Sequence, residues 1–249
     1  MRLELQGRNA LVTGGAGGIG GAIADALAAE GVAVASADTR PPPDGAGRFL
    51  ELDVRDRDAV LRAFDAAEDS GVVDILVNAA GLYPSDPILE MSEAAWDRVM
   101  DVNVKGMFLT SQEFCRRLVA AGRPGCIVNI TSGAAERARV GAAHYCTSKA
   151  AAEMLTRAFA LEFAEHGIRV NAVSPGYVEV GSAVNPLSAE YKAAITGSIP
   201  LGRAGAPADI AQAVLFLCSR GAEWVTGASW RVDGGSRAGT LGLPLSRVS

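Results

Sequence analysis

The sequence predicts an α/β fold: a single domain built on a doubly wound parallel sheet of about seven strands, with helices on both faces. Three observations predict it. Short β-rich runs alternate with alanine-rich helical segments along most of the 249 residues, the order expected of parallel strands joined by crossover helices. The apolar runs lack strict polar alternation, as strands covered on both faces do. The first run ends in a cluster of glycines that opens a helix.

Taken in order, NALVTG (9–14) is the first strand, and GGAIADALAAEG (20–31) is a helix that stops at Gly31, a natural C-cap. VAVASAD (32–38) and RFLELDV (48–54) are the second and third strands. The proline- and glycine-rich TRPPPDGAG between them is a loop. VDILVNAAG (73–81), GCIVNITS (125–132), GIRVNAVSPG (167–176) and ASWRVDGG (228–235) supply four more strands. With no internal repeat and no linker, residues 1–249 read as one domain. The segment 177–201 breaks the pattern and is expected to be a mobile lid over a binding site. A C-terminal extension, 236–249, runs beyond the last strand.

Composition narrows the function classes. Nearly half the residues are hydrophobic and the formal net charge is −5, so a large core is affordable and no basic stripe points to nucleic acid. The N-terminal MRLELQGR lacks the apolar stretch of a signal peptide. No apolar run approaches the roughly 20 residues that span a bilayer, so no membrane role is expected. Cys115, Cys126, Cys146 and Cys218 are scattered without a CxxC pair, as reduced thiols of a cytoplasmic protein would be. Two histidines, His144 and His166, are too few and too far apart for a metal site.

The glycine cluster TGGAGGIGGAIADAL (13–27) leaves a strand and enters a helix, the context in which backbone N–H groups cradle a phosphate. Gly14 can take a turn closed to residues with a Cβ. Gly18 lets a pyrophosphate approach, and Gly20 allows close packing of the helix. Gly14, Gly17, Gly18, Ile19 and Gly20 are the candidate contacts, spaced G-x3-G-x-G around the three that matter most. Asp38, at the end of the second strand, can accept from both ribose hydroxyls of an adenosine and repels a 2′-phosphate. Arg40 argues the other way, since an arginine there can welcome that phosphate. No basic residue lies inside the turn itself, so NAD is the expected cofactor.

AHYCTSKAA (143–151) sets one of only three lysines one helical turn after a tyrosine. Positions 145 and 149 share a helix face. A free phenol has a pKa of about 10. An ammonium about 4 Å away, at an effective dielectric of about 20, favours the phenolate by roughly 4 kcal/mol before desolvation. Tyr145 is thereby expected to serve as an acid–base group for an alcohol proton. Lys149, a compact cation with rotatable donors, can also reach a ribose. Ser132, just past a strand, can hold the substrate oxygen, although a serine there is more often a turn former. A Ser-His-Asp hydrolase built on His144 finds no G-x-S-x-G elbow in the chain.

Together these residues resemble a short-chain dehydrogenase/reductase over about Leu5 to Gly235. The resemblance rests on TGGAGGIG (13–20), LDV (52–54), NAAG (78–81), the asparagine of DVNVKG, Ser132, YCTSK (145–149) and SPG (174–176), in order and at the family's spacing. It implies a Rossmann fold and a catalytic set of Asn103, Ser132, Tyr145 and Lys149, with Asn103 holding a water that relays protons from the lysine. It implies that Asp53 and Val54 flank the adenine and that Asn78, Ala79, Ala80 and Gly81 line the middle of the cofactor. Pro175, Gly176 and Val178 would meet the nicotinamide end. The family often has a threonine where this chain has Val180, which removes a hydroxyl clamp. The helices in 100–122 and 145–167 resemble those that pair in the family's homotetramers.

The expected activity is interconversion of a secondary alcohol and its ketone with NAD. An NADPH-linked reductase of 3-oxoacyl thioesters and a non-catalytic nucleotide-binding regulator are the alternatives. Leu82, Tyr83, Gly133, Ala134, Val140 and Tyr177 are expected to shape a mostly apolar pocket. Arg137, Arg139 and Glu179 belong either to its mouth or to solvent.

Overall fold

A computed structural model of the chain describes residues 3–42, 47–180 and 188–239. Seven strands form one wholly parallel sheet: β1 (Asn9–Thr13), β2 (Ala33–Asp38), β3 (Arg48–Glu51), β4 (Ile75–Asn78), β5 (Gly125–Ile130), β6 (Ile168–Pro175) and β7 (Ser229–Val232), in the order β3-β2-β1-β4-β5-β6-β7. The helices are α1 (Gly18–Ala29), α2 (Arg57–Ala67), α3 (Glu93–Met100), α4 (Met107–Ala121), α5 (Ala143–Phe163), α6 (Ala189–Gly197) and α7 (Pro207–Cys218).

Period-two alternation sorts the strand residues between two cores. Ala10, Val12, Ile75, Val77 and Val128 face α1 and α7, meeting Ile23, Leu27, Ile210 and Val214. Leu11, Leu76, Ile127 and Val170 face the other way, onto Phe64 of α2 and Phe114 and Leu118 of α4. Each fully buried side chain of this size is worth about 1.5–3 kcal/mol. A strand that is apolar on both faces is what this arrangement demands, which is why the sequence lacked alternation.

The strands are shorter than their apolar runs. β4 stops at Asn78 and β5 at Ile130, so Ala79–Gly81 and Ser132 leave the sheet as loops at its C-terminal edge. Strand order reverses between β1 and β4, and that reversal opens a crevice between their loops. Gly31 has φ +78° one residue past the α1 C-cap, as its role as helix terminator requires.

The described ends of the segment 177–201 are hydrogen-bonded to neighbouring loops. Gly205 N donates to Tyr177 O at 2.9 Å and Glu179 N donates to Gly205 O at 2.9 Å. Ile199 is buried, and Leu201 N donates to Gly234 O at 3.1 Å. Both ends of the segment are thus tied down. Residues 181–187 of the expected lid and 240–249 of the expected C-terminal extension lie outside the described residues.

Candidate active site

The glycine turn is shaped by what a Cβ would strike. At Gly14, φ is +68° and a Cβ would lie 2.6 Å from Ala80 N; at Gly20 it would lie 2.1 Å from Gly14 O. The turn therefore folds back against its own helix and against the β4 loop. Gly15, which the sequence reading passed over, is equally constrained, since its Cβ would sit 2.3 Å from Ser36 Oγ. That hydroxyl, buried in β2, has no hydrogen-bond partner among the described residues. Around Gly17, by contrast, no described residue comes within 4 Å of a Cβ. Gly17 caps α1 without a side chain, so the first-turn N–H groups are left for an anion. Ile19 packs on the core beside them. A concave, donor-lined turn with room at Gly17 fits a dinucleotide pyrophosphate.

Asp38 reaches this turn from the end of β2. Its Oδ2 accepts from Ala16 N at 3.2 Å and its Oδ1 from Thr39 N at 2.7 Å, which aims the carboxylate along the rim of the cradle. Asp53 is held by Arg55 at 2.6 Å, and that hydrogen bond draws its carboxyl below the usual range. Val54 is buried against Gly106, whose Cβ would fall 2.5 Å from Val54 Cγ2. The Asn78 side chain turns inward: Nδ2 donates to Ser111 Oγ at 3.0 Å and Asn129 Oδ1 at 2.9 Å, and Oδ1 accepts from Thr110 at 2.7 Å. It fixes the β4 end rather than facing the crevice. Thr13 holds the next two residues, accepting from Ala79 N through its carbonyl and from Ala80 N through its hydroxyl. Gly176 N donates to Val232 O at 3.0 Å, which pins the Pro175–Gly176 corner. Val180, two residues past Val178, lies 3.7 Å from where a Gly18 Cβ would be, so its side chain sits over the turn.

Ser132, Tyr145, Lys149 and Asn103 converge beside the cradle. Ser132 is extended and its Oγ accepts from Ala134 N at 3.2 Å, capping a short 3-10 turn, Gly133–Ala135. The same hydroxyl acts on Tyr145, drawing its phenol down. Tyr145 sits in the first turn of α5. Lys149 follows one turn later, its Nζ donating to Ile130 O at 2.8 Å and lying 5.8 Å from the Tyr145 ring centre. A Cβ at Gly81 would lie 3.5 Å from Asn103 Oδ1 and 3.6 Å from Lys149 Nζ. Asn103 occupies a π-helical stretch, Asp101–Gly106, between α3 and α4. Its side chain is fully used: Leu82 N donates to Oδ1 at 2.7 Å, and Nδ2 donates to Leu82 O at 2.9 Å and Ser148 Oγ at 3.0 Å.

The electrostatics differ from the expectation that Lys149 pulls the phenol down. Burial is the larger effect and pushes Tyr145 up, opposed by the Ser132 hydroxyl and the charge of Arg139. Lys149 itself is pushed down to about 8 by burial. Helical spacing brings the two side chains to one face, but at 5.8 Å from the ring centre the ammonium bonds a carbonyl instead of the phenol.

Several residues around the site carried no role in the sequence. Ser148 joins Asn103 to the helix by donating to Tyr145 O at 2.8 Å; as a helical serine three residues on, it follows a recognisable back-bonding pattern. His144 is fully buried, with Nδ1 accepting from Tyr145 N at 2.9 Å and Nε2 3.2 Å from Asp86 Oδ2. Both ring nitrogens are taken, which leaves none for a hydrolase serine. Arg137 donates to Ser236 O and Glu179 pairs with Lys192, so of the three charges in question only Arg139 acts on the phenol. An open depression of about 600 Å³ lies elsewhere, lined by Glu136, Glu153, Arg157, Ser229, Trp230 and Arg231; none of the four candidate catalytic side chains lines it. Among the described residues no cluster could hold a metal and no helix is long and apolar enough to cross a membrane.

Comparison with known proteins identifies the family. Residues 14–237 match the family model described as enoyl-(acyl carrier protein) reductase. A (3R)-3-hydroxyacyl-CoA dehydrogenase of Mus musculus is 37% identical over 94% of this chain and 98% of its own length. A galactitol 2-dehydrogenase of Agrobacterium fabrum is 36% identical over 94% of this chain and 99% of its own. Among solved structures, one described as a 2-deoxy-D-gluconate 3-dehydrogenase of Agrobacterium tumefaciens, with bound NADP, superposes with a TM-score of 0.88 at 40% identity, covering 96% and 99% of the two chains. Fold, ordered motifs and relatives matched over nearly their whole length all agree: the chain belongs to the short-chain dehydrogenase/reductase family and is an oxidoreductase of CH–OH groups.

Proposed function

We propose that the protein uses NAD to interconvert a secondary alcohol and its ketone, with Tyr145 as acid–base group. The observation that carries this reading is the convergence of Ser132, Asn103, Tyr145 and Lys149 beside the Gly14–Gly20 cradle, with the Lys149 ammonium 5.8 Å from the Tyr145 ring centre and 3.6 Å from where a Gly81 Cβ would be. Gly14, Gly17, Gly18, Ile19 and Gly20 would bind the pyrophosphate, Asp38 the adenosine ribose, and Lys149 the nicotinamide ribose. Asp53, Val54, Ala79, Ala80, Gly81, Pro175, Gly176 and Val178 would wall the groove, with Asn78 supporting it from within. The bound nicotinamide supplies the hydride acceptor or donor. In the oxidative direction Tyr145 would take the hydroxyl proton while Ser132 holds the same oxygen; in the reductive direction Tyr145 would return it. The buried Lys149 ammonium would stabilise the phenolate formed between.

NAD rests on Asp38, whose carboxylate would repel a 2′-phosphate. The NADP in the Agrobacterium tumefaciens relative and Arg40 in this chain favour the other cofactor, so the choice is one to measure. A second reading, reduction of 3-oxoacyl thioesters, is favoured by the 37% identity to the mouse hydroxyacyl-CoA enzyme. The test is a panel of polyols, cyclic alcohols and 3-hydroxyacyl thioesters with each cofactor, followed at the absorbance of reduced nicotinamide. Turnover of a free alcohol with NAD supports the first reading; turnover of thioesters alone with NADP supports the second. Binding of NAD with no turnover of any member would leave the regulator reading. A homotetramer is proposed from α4 and α5, where Val119, Met154 and Leu161 are exposed. Light scattering that gave a monomer would contradict it. A cytoplasmic location is the reading that four free, buried thiols support.

A further inference from the structure

We infer that His144 and Asp86 are positioning residues: a contact between a buried imidazole and a half-exposed carboxylate clamps the segment Leu82–Asp86 onto the first turn of α5 and so sets the substrate-side wall in front of Tyr145. The inference rests on the reading of Tyr145 as the acid–base group.

The segment is held at both ends by the same helical turn. At Leu82, the backbone N–H and carbonyl both bond Asn103, which donates to Ser148, which donates to Tyr145 O. At Asp86, the carboxylate meets His144 Nε2 at 3.2 Å, and His144 Nδ1 accepts from Tyr145 N at 2.9 Å. The two paths form a closed circuit that enters and leaves α5 through the backbone of Tyr145. A third contact tightens the Asp86 end: Asp86 N donates to Gly141 O at 2.8 Å. Gly141 has φ +74°, and a Cβ there would lie 2.8 Å from Ser85 Oγ. Only glycine suits both the left-handed backbone and the close approach.

The imidazole chemistry follows from its neighbours. Because Nδ1 accepts from a backbone N–H it carries no proton, so Nε2 bears the ring proton and donates it to Asp86. With both nitrogens committed and the side chain fully buried, His144 touches no substrate. What the clamp holds lies against the site: Leu82 bonds Asn103 through both backbone groups, it follows Gly81, whose Cβ would lie 3.6 Å from Lys149 Nζ, and Tyr83 is the next residue of the segment. Loosening the Asp86 end would leave Tyr83 and Leu82 tethered at one end only. Substrate would then pay the ordering cost on binding, whereas the cofactor cradle on the other side of Gly81 would be untouched.

A purely structural role makes a different forecast. If His144 only capped the helix, Asp86 would be dispensable, because Tyr145 N keeps its acceptor without it. The experiment therefore uses Asp86→Ala, its conservative partner Asp86→Asn, and His144→Asn, which keeps an acceptor near the Nδ1 position but cannot reach Asp86. Steady-state kinetics, NAD titration and amide hydrogen exchange over residues 82–87 are measured for each. Asp86→Ala and His144→Asn should raise the substrate KM about tenfold, the worth of one such hydrogen bond, with kcat within about threefold, NAD binding unchanged and exchange faster. Asp86→Asn, which still offers an acceptor, should restore the parent KM. The double variant should be no worse than either single one, because the pair acts as a unit. An unchanged KM in Asp86→Ala, or a loss of NAD binding in step with KM, overturns the inference. Asp86 is half-exposed, so that variant tests the idea even if His144→Asn fails to fold. Full activity in Tyr145→Phe would sink the reading of Tyr145 while leaving the clamp to be judged by exchange and KM.

Discussion

Replacing Lys149 with methionine should make the folded chain more stable at neutral pH while removing the ammonium proposed to support Tyr145. Lys149 is 5% exposed, and burial alone lowers its ammonium from 10.5 to about 8. At 1.36 kcal/mol per pK unit, that shift is a destabilisation of about 3 kcal/mol where both folded and unfolded chains carry the proton. The folded pKa lies below the unfolded one, so the unfolded state binds the proton more tightly. The penalty is therefore complete below about pH 8, shrinks as pH rises toward 10.5, and is gone above it. Methionine matches the length and helix propensity of lysine without the charge. It forfeits the 2.8 Å hydrogen bond to Ile130 O, a loss of about 1 kcal/mol. Lys149→Met should thus gain about 2 kcal/mol at pH 7, with the advantage lost by pH 10.5. Urea unfolding followed by circular dichroism, at one protein concentration and at pH 7, 9 and 10.5, measures it. A variant less stable than the parent at pH 7, or an advantage that does not shrink with pH, would refute the burial argument.

Three other outcomes follow from the same geometry. Gly20→Ala adds a Cβ 2.1 Å from a backbone carbonyl; the overpacking cost of about 1–3 kcal/mol exceeds the roughly 1 kcal/mol that alanine gains in a helix, so the melting temperature should fall and NAD binding with it. Asp38→Ala should narrow the preference for NAD over NADP, read as the ratio of kcat/KM, with Arg40 left to receive the extra phosphate; an unchanged ratio would remove Asp38 from the cofactor site. Arg139→Ala removes a charge that pulls the Tyr145 phenol down, so the limb of the pH–rate profile that reports Tyr145 should move to higher pH; a shift to lower pH, or none, would place Arg139 in solvent.

Much of this was legible in the sequence because it is written in local patterns. The glycines at 14 and 20, the Tyr145–Lys149 spacing and the seven apolar runs each need only neighbouring residues to be recognised. The strand ends were overrun because Ala79–Gly81 and Ser132 continue an apolar or small-residue run after the ladder has stopped. What remained hidden depends on distant partners. His144 meets Asp86 from 58 residues away, and Gly15 is required by Ser36 on another strand. The sign of the tyrosine electrostatics was missed for a related reason: spacing on a helix says that two groups share a face, but only the packed structure says how deeply each is buried. Asn103 is a similar case, since nothing in DVNVKG announces a π-helical turn whose side chain is spent on Leu82 and Ser148.

The measurement that bears most directly on the account is the pH–rate profile of Tyr145→Phe beside an NAD titration of the same variant. Phenylalanine keeps the buried ring and removes only the group that would move the proton. The account predicts a fall in kcat of about 100-fold or more, with the limb assigned to Tyr145 lost from what activity remains and NAD binding close to that of the parent. Oxidation of substrate at the parent rate, with the profile unchanged, would contradict it and move the acid–base chemistry to another residue.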